Sequence, residues 1–182
     1  MQSPTAPTRR WGPSFLSSID GRLDDQAAPV PDSANIGLAR PPVIYLSAIA
    51  LGVVIHFVWP VPLIPSAIAT PVGVVGTLAA VALFVYAVRT FKAAGTPVPG
   101  NLPTTTIVRS GPYRFSRNPI YLAFSLFQLA IAVWVNSPWL ILTLVAAVAV
   151  MSLVVIPREE RYLEARFPSE YSAYRSSVRR WF

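Results

Sequence analysis

The chain contains no cysteine, one lysine and one histidine. Without cysteine, neither a disulfide nor a thiolate-ligated metal site is available. No glycine-rich strand-turn-helix fingerprint occurs, so a soluble dinucleotide-type cofactor fold has no support. Charged residues make up only 13% of the 182, about half the usual quarter of a soluble domain. Residues 41–88 and 119–157 hold no Asp, Glu, Lys or Arg at all. A soluble core does not need two such stretches, whereas a bilayer does. These absences exclude a soluble single-domain enzyme.

The formal net charge of +7 would, taken alone, invite nucleic acid. Its placement argues against that. All 15 basic residues fall in 1–40, 89–118 and 158–182, which is the pattern of a membrane topology rather than of a binding stripe. Attraction to anionic lipid is a secondary effect of the same charges.

Residues 1–40 carry four Arg and four Asp among frequent Pro, Ser and Ala, and read as a disordered or surface-associated cytoplasmic tail. Within it Trp11, Phe15, Leu16 and Ile19 share one helical face. They are either a membrane-surface anchor or scattered aromatics. Residues 41–182 form the membrane domain. The first charge-free block divides at Pro60, Pro62 and Pro65 into spans at about 43–59 and 72–88, with 60–71 as the turn. The second divides at Asn136-Ser137-Pro138 into spans at about 120–135 and 139–156. Asn136 or Ser137 is placed to cap, and Pro138 suits a first helical turn. Trp59, Trp134 and Trp139 sit at interface depth. The fold class is therefore all-α and polytopic: four transmembrane helices, an ordered cytoplasmic loop and amphipathic C-terminal helices. Both turns lack Lys and Arg, so the positive-inside rule puts both termini and the middle loop in the cytoplasm. His56, inside a span, is a functional candidate by default, yet near the helix end a neutral imidazole simply bonding a neighbour accounts for it too.

The middle loop, 91–119, holds five prolines that restrict its backbone, and interleaves Arg with Tyr and Phe. Asn118-Pro119 opens the third span, with Asn118 as cap and Pro119 at the first position. Residues 157–182 follow the fourth span. Leu163 and Phe167 share one helix face; Tyr171, Tyr174 and Val178 share another. Pro168 divides the two helices, with Ser169 as a cap. Glu159-Glu160 would be ordinary first-turn acids if they stood alone.

In order, Ser110-Gly-Pro-Tyr-Arg114, Arg117-Asn-Pro-Ile-Tyr121, an apolar hairpin, Glu159-Glu160, then Leu163, Phe167, Glu170-Tyr171, Tyr174 and Arg179 resemble the integral-membrane methyltransferases. These are the isoprenylcysteine carboxyl methyltransferases and the related phospholipid N-methyltransferases. The resemblance covers roughly the half of the chain after Phe91. It implies S-adenosylmethionine as cofactor, held at the cytoplasmic membrane face. It implies one wall of Arg117, Asn118, Pro119 and Tyr121, another of Glu159 and Glu160, and Tyr113 and Arg114 nearby. Arg117, Asn118 and Glu160 are its candidates for cofactor placement, and no metal is implied. The partner is a lipophilic substrate or membrane lipid, methylated at a carboxylate, an amine headgroup or another nucleophile.

Three positions depart from the family pattern. Asn118 replaces the usual His of Arg-His-Pro, and cannot act as a base near neutral pH. Pro168 and Ala123 stand where Gly is common. The alternatives are a nicotinamide-dependent membrane reductase of the sterol-reductase type and a non-catalytic membrane protein. Arginine in place of lysine, with abundant Ala, Val and Pro, fits a GC-rich bacterial genome and hence an inner membrane.

Overall fold

The computed structural model describes residues 40–96 and 105–182. The tail with its Trp11–Ile19 stretch and loop residues 97–104 lie outside the described residues. Six α-helices and no strand occur among those described. In chain order they are α1 (Pro41–Val58), α2 (Ser66–Ala93), α3 (Pro119–Trp134), α4 (Pro138–Val150), α5 (Ile156–Arg166) and α6 (Pro168–Ser177), with a 3₁₀ turn at Gly111–Arg114. Three helices are long and apolar enough to cross a membrane: Pro41–Val58, Ser66–Ala93 and the continuous Pro138–Arg166. The shorter apolar helix Pro119–Trp134 has 16 residues, about 24 Å at 1.5 Å each.

Proline places most of the helix starts. Pro41, Pro119, Pro138 and Pro168 each occupy a first position, where no intrahelical N–H is needed. Two prolines behave differently from the sequence expectation. Pro71 lies inside α2, so the helix begins at Ser66 and the turn is shorter than 60–71. One missing hydrogen bond near a helix start is tolerated in apolar packing. Pro157 does not end the fourth span either. A π-turn at Met151–Val155, in which the Ile156 amide donates to the Met151 carbonyl, widens the helix just before the ring and lets it run on as α5. The extra residue rotates everything beyond by about 100°. Glu159 and Glu160 therefore lie on a different face from the one α4 alone would dictate.

Small residues let the backbones approach. Ala69, Gly73, Ala80 and Ala87 are the buried small positions of α2. A Cβ on Gly73 would lie 2.4 Å from the Trp134 Cβ and 2.6 Å from its Cα, and one on Gly76 would lie 3.1 Å from the Ala130 Cβ. Gly52 of α1 meets Thr143 and Leu140 of α4 in the same way. Close contact between backbones is how apolar helices associate where burial from water supplies no force. Inside this packing the Gln128 amide nitrogen donates to the Leu140 carbonyl and the Thr143 hydroxyl, both at 3.2 Å.

At one end of the bundle the two turns hold each other. Asn136 takes a left-handed φ of 57°, a conformation asparagine tolerates. Its Oδ1 accepts from the amides of Leu63 and Ile64 at 2.8 and 3.0 Å, and its Nδ2 donates to the Ile64 carbonyl at 2.6 Å. The Trp139 indole donates to the Trp59 carbonyl at 2.6 Å. Asn136 thus caps the neighbouring turn rather than its own helix, and Ser137 at the N-cap makes no side-chain capping bond. Ser169 is not the cap of α6; Phe167 is. His56 has its Nδ1 buried without a partner among the described residues and packs edge-on to Phe57.

Gly73→Ala drives a methyl into the Trp134 backbone, whereas Gly76→Ala asks Ala130 to yield by a few tenths of an ångström. Thermal unfolding in detergent should show Gly73→Ala losing about 1–3 kcal/mol, the range for overpacking, and Gly76→Ala clearly less. Equal losses would contradict this packing.

Candidate functional site

The other end of the bundle gathers loop residues 106–118, the start of α3, and α5 and α6 around one cavity. Its lining includes Phe91, Val108, Tyr113, Arg117, Asn118, Pro119, Tyr121, Glu159, Glu160, Tyr162, Tyr171 and Tyr174. Seven of the eight residues expected from sequence are therefore brought together. Arg114 is not among them: it is exposed at the end of the 3₁₀ turn, because that turn directs Tyr113 inward and its neighbour outward. Asn118 holds the N-cap position of α3 but makes no capping bond. Its Nδ2 donates instead to the Arg180 carbonyl at 3.0 Å.

The two adjacent glutamates have separate environments. Glu160 is buried, and Arg117 and Arg180 clamp it. Arg117 Nη2 donates to Oε1 at 2.9 Å, Arg180 Nε to Oε1 at 3.2 Å, and Arg180 Nη2 to Oε2 at 2.6 Å. Glu159 makes no ion pair among the described residues; its Oε1 accepts from the Tyr121 hydroxyl at 2.6 Å. Burial pushes the Glu159 carboxyl up to about 7, Tyr121's hydrogen bond opposing and the charge of Glu160 adding to the rise. Since this lies above the ordinary 4.5, folding favours the protonated form. That stability is present at low pH and is lost as pH rises from about 4.5 through 7.

Tyrosines close the rest. The Tyr174 hydroxyl donates to the Tyr113 carbonyl at 2.8 Å, tying α6 to the 3₁₀ turn, and the Phe91 and Tyr113 rings meet edge-on at 5.0 Å. Burial raises the Tyr171 hydroxyl to about 12, so it stays a donor at any working pH. Arg109 Nη2 donates to the Glu170 carbonyl at 2.6 Å, and Arg117 Nη1 to the Arg175 carbonyl at 3.2 Å.

On the cavity-lining residues, three buried polar atoms have no partner among the described residues: the hydroxyls of Tyr113 and Tyr162, and Arg117 Nε. All belong to lining residues, and each unmade bond costs about 1–3 kcal/mol. A ligand with hydroxyl or carboxylate oxygens would satisfy them. The cavity thus offers unpaired donors, one carboxyl outside any ion pair among the described residues, and aromatic faces. Among the described residues no cluster of three or more His, Asp or Glu could hold a metal.

Tyr162 and Arg180 were not singled out from sequence. Tyr162 carried a signal, lying two residues past Glu160. Arg180 carried none, because its partner is 20 positions away and the return of the chain sets the contact.

The family model for phospholipid methyltransferase matches residues 68–170, which takes in α3, α4, α5 and nearly all of α2. An uncharacterized protein of Haemophilus influenzae is 37% identical over 62 residues, covering 34% of this chain and 98% of that protein. No solved structure matches.

Removing the buried carboxylate leaves two guanidinium groups to repel each other. Glu160→Gln should lower unfolding stability by about 3 kcal/mol. Glu164→Gln breaks the exposed 3.3 Å pair with Arg175 and should change it by less than about 0.5 kcal/mol. Chemical denaturation of both variants in mixed micelles checks the contrast, and a silent Glu160→Gln would refute the clamp.

Proposed function

The chain belongs to the phospholipid methyltransferase family, and on that premise we propose that it transfers a methyl group from S-adenosylmethionine to a lipophilic acceptor, an amine-bearing lipid headgroup being the class its cavity suits best. The observation that carries this reading is the Glu159 carboxyl, hydrogen-bonded by Tyr121 but in no ion pair among the described residues, in a cavity that Arg117 also lines.

S-adenosylmethionine, when bound, supplies an activated methyl group on a sulfonium. Arg117 and the Tyr113 and Tyr162 hydroxyls are the donors for its polar oxygens. The tyrosine faces and Glu159 favour its positive charge. Transfer to an acceptor mainly needs alignment, and the rigid start of α3 provides it.

An amine must shed a proton to be methylated, and Asn118, where the family typically has His, cannot take one. Glu159 can, because its carboxyl titrates near neutrality. A carboxylate acceptor would need no such group, so the retained base points to the amine. The apolar residues Phe91, Val108 and Ile120 on the cavity wall suit an acyl chain entering between spans. This reading uses four spans, Pro119–Trp134 being the short one, with the cavity and both termini in the cytoplasm of a bacterial inner membrane.

Calorimetry on detergent-purified protein should register S-adenosylmethionine and no NADPH; heat with NADPH alone would favour the reductase. Ionisation of Glu159 should tighten S-adenosylmethionine binding about tenfold between pH 6 and 8, a carboxyl near 7 being about one-tenth ionised at the lower pH and nine-tenths at the upper. Glu159→Gln should flatten that profile. An identical pH dependence in the variant would remove Glu159 from the site.

Topology is tested in the cysteine-free background. Ile64→Cys should react with an impermeant maleimide from the periplasmic side of spheroplasts, and Phe115→Cys, at an exposed loop position, only after lysis. The reverse pattern would invert the orientation.

A further inference from the structure

Segment 178–182 lies beyond the 68–170 match and returns to the cavity. Val178 breaks α6 with extended dihedrals, and the chain then runs back along the start of α3. The Arg179 carbonyl accepts from the Arg117 amide at 2.9 Å, and the Arg180 carbonyl accepts from Asn118 Nδ2 at 3.0 Å and the Ser116 hydroxyl at 3.4 Å. Trp181 packs against the core cluster that includes Phe91 and Tyr113. The backbone is thus fixed before the Arg180 side chain reaches Glu160.

The charge count at this point is informative. Arg117 and Glu160 are each 10% exposed, and Arg180 is 36% exposed. Arg117 with Glu160 alone would be a neutral pair. Arg180 takes Oε2 and shares Oε1, so the triad carries one net positive charge. Arg117, which lines the cavity, keeps Nε buried and unpartnered. Glu160 holds one guanidinium fork, from Arg180, and one further bond from Arg117, so a ligand cation would have to compete with both arginines for it.

We propose that Arg180 is a positioning residue that acts through Glu160: by saturating that carboxylate it leaves Arg117 uncompensated, and so makes this end of the cavity a site for an anionic oxygen group. This inference rests on the functional reading above. Two sources carry such a group, the carboxylate of the methyl donor and the phosphate of a lipid headgroup.

The test compares three probes by calorimetry on the full chain in detergent: S-adenosylhomocysteine, 5′-methylthioadenosine (which lacks the amino-acid arm) and a short-chain phosphatidylethanolamine. Arg180→Gln sets the triad to zero net charge. Weakening of S-adenosylhomocysteine by about tenfold with methylthioadenosine unchanged assigns the donor carboxylate. Weakening of the lipid alone assigns the phosphate. Either supports the proposal. Equal weakening of both nucleosides, or no change in any probe, overturns it.

The double variant Glu160→Gln/Arg180→Gln guards against a merely structural effect. It keeps polar groups at both positions and restores one net positive charge through Arg117, so anion binding should recover. Failure to recover in a folded double variant also overturns the proposal. Wild-type protein that binds neither nucleoside would sink the functional reading instead, and the lipid arm would still decide this one.

Discussion

The site depends on one buried carboxylate and the two arginines that hold it. Glu160 is where α5, the start of α3 and segment 178–182 meet, and no two of these are neighbours in sequence. A triad with two buried members is weak evidence of net stabilisation, since desolvating Glu160 and Arg117 consumes most of the attraction. What it supplies here is geometry. With Glu160 fixed, Arg117 is fixed, the Asn118 side chain turns to the Arg180 carbonyl, and the first turn of α3 presents Tyr121 to Glu159.

That arrangement requires the carboxylates to arrive on the right face, and the helix before them is adjusted to do so. A proline in mid-helix normally kinks or breaks it. Here the π-turn at Met151–Val155 absorbs Pro157 without a break. Met151, Val155 and Ile156 are all within 1% of full burial, so the irregular turn is locked by packing and not left free to relax. The apolar bundle thereby sets the rotation of a polar site lying just beyond it. The small-residue contacts at Gly73 and Gly52 serve the same end, holding the helices too close for that register to slip.

Much of this was legible in the sequence. Charge-free blocks and proline positions located the four apolar helices, missing both ends of α2 by several residues and the continuation of the fourth helix to Arg166. The resemblance carried by the interleaved Arg and Tyr and by Glu159-Glu160 named seven residues that line the cavity, and left out the apolar wall of Phe91, Val108 and Ile120 and the tyrosines Tyr162, Tyr171 and Tyr174. Local pattern failed where a partner far along the chain decides the outcome. Asn118 and Asn136 both stand where a cap belongs, and each bonds a distant backbone instead. Pro71 and Pro157 carry the sign of a helix break, but surrounding apolar packing overrides it. Arg180 looks like one of a run of surface arginines until the chain is seen to return.

The division of the glutamate pair follows from these same constraints. Adjacent residues on a helix are rotated by about 100°, so they cannot share one environment. Glu160 points back to the arginines and is neutralised. Glu159 points to Tyr121, gains one hydrogen bond and no countercharge, and is left titrating near neutrality. The arginines' hold on Glu160 thus leaves its neighbour outside any ion pair among the described residues, with Tyr121 as its hydrogen-bond partner, while the Asn118 side chain is committed to the Arg180 carbonyl.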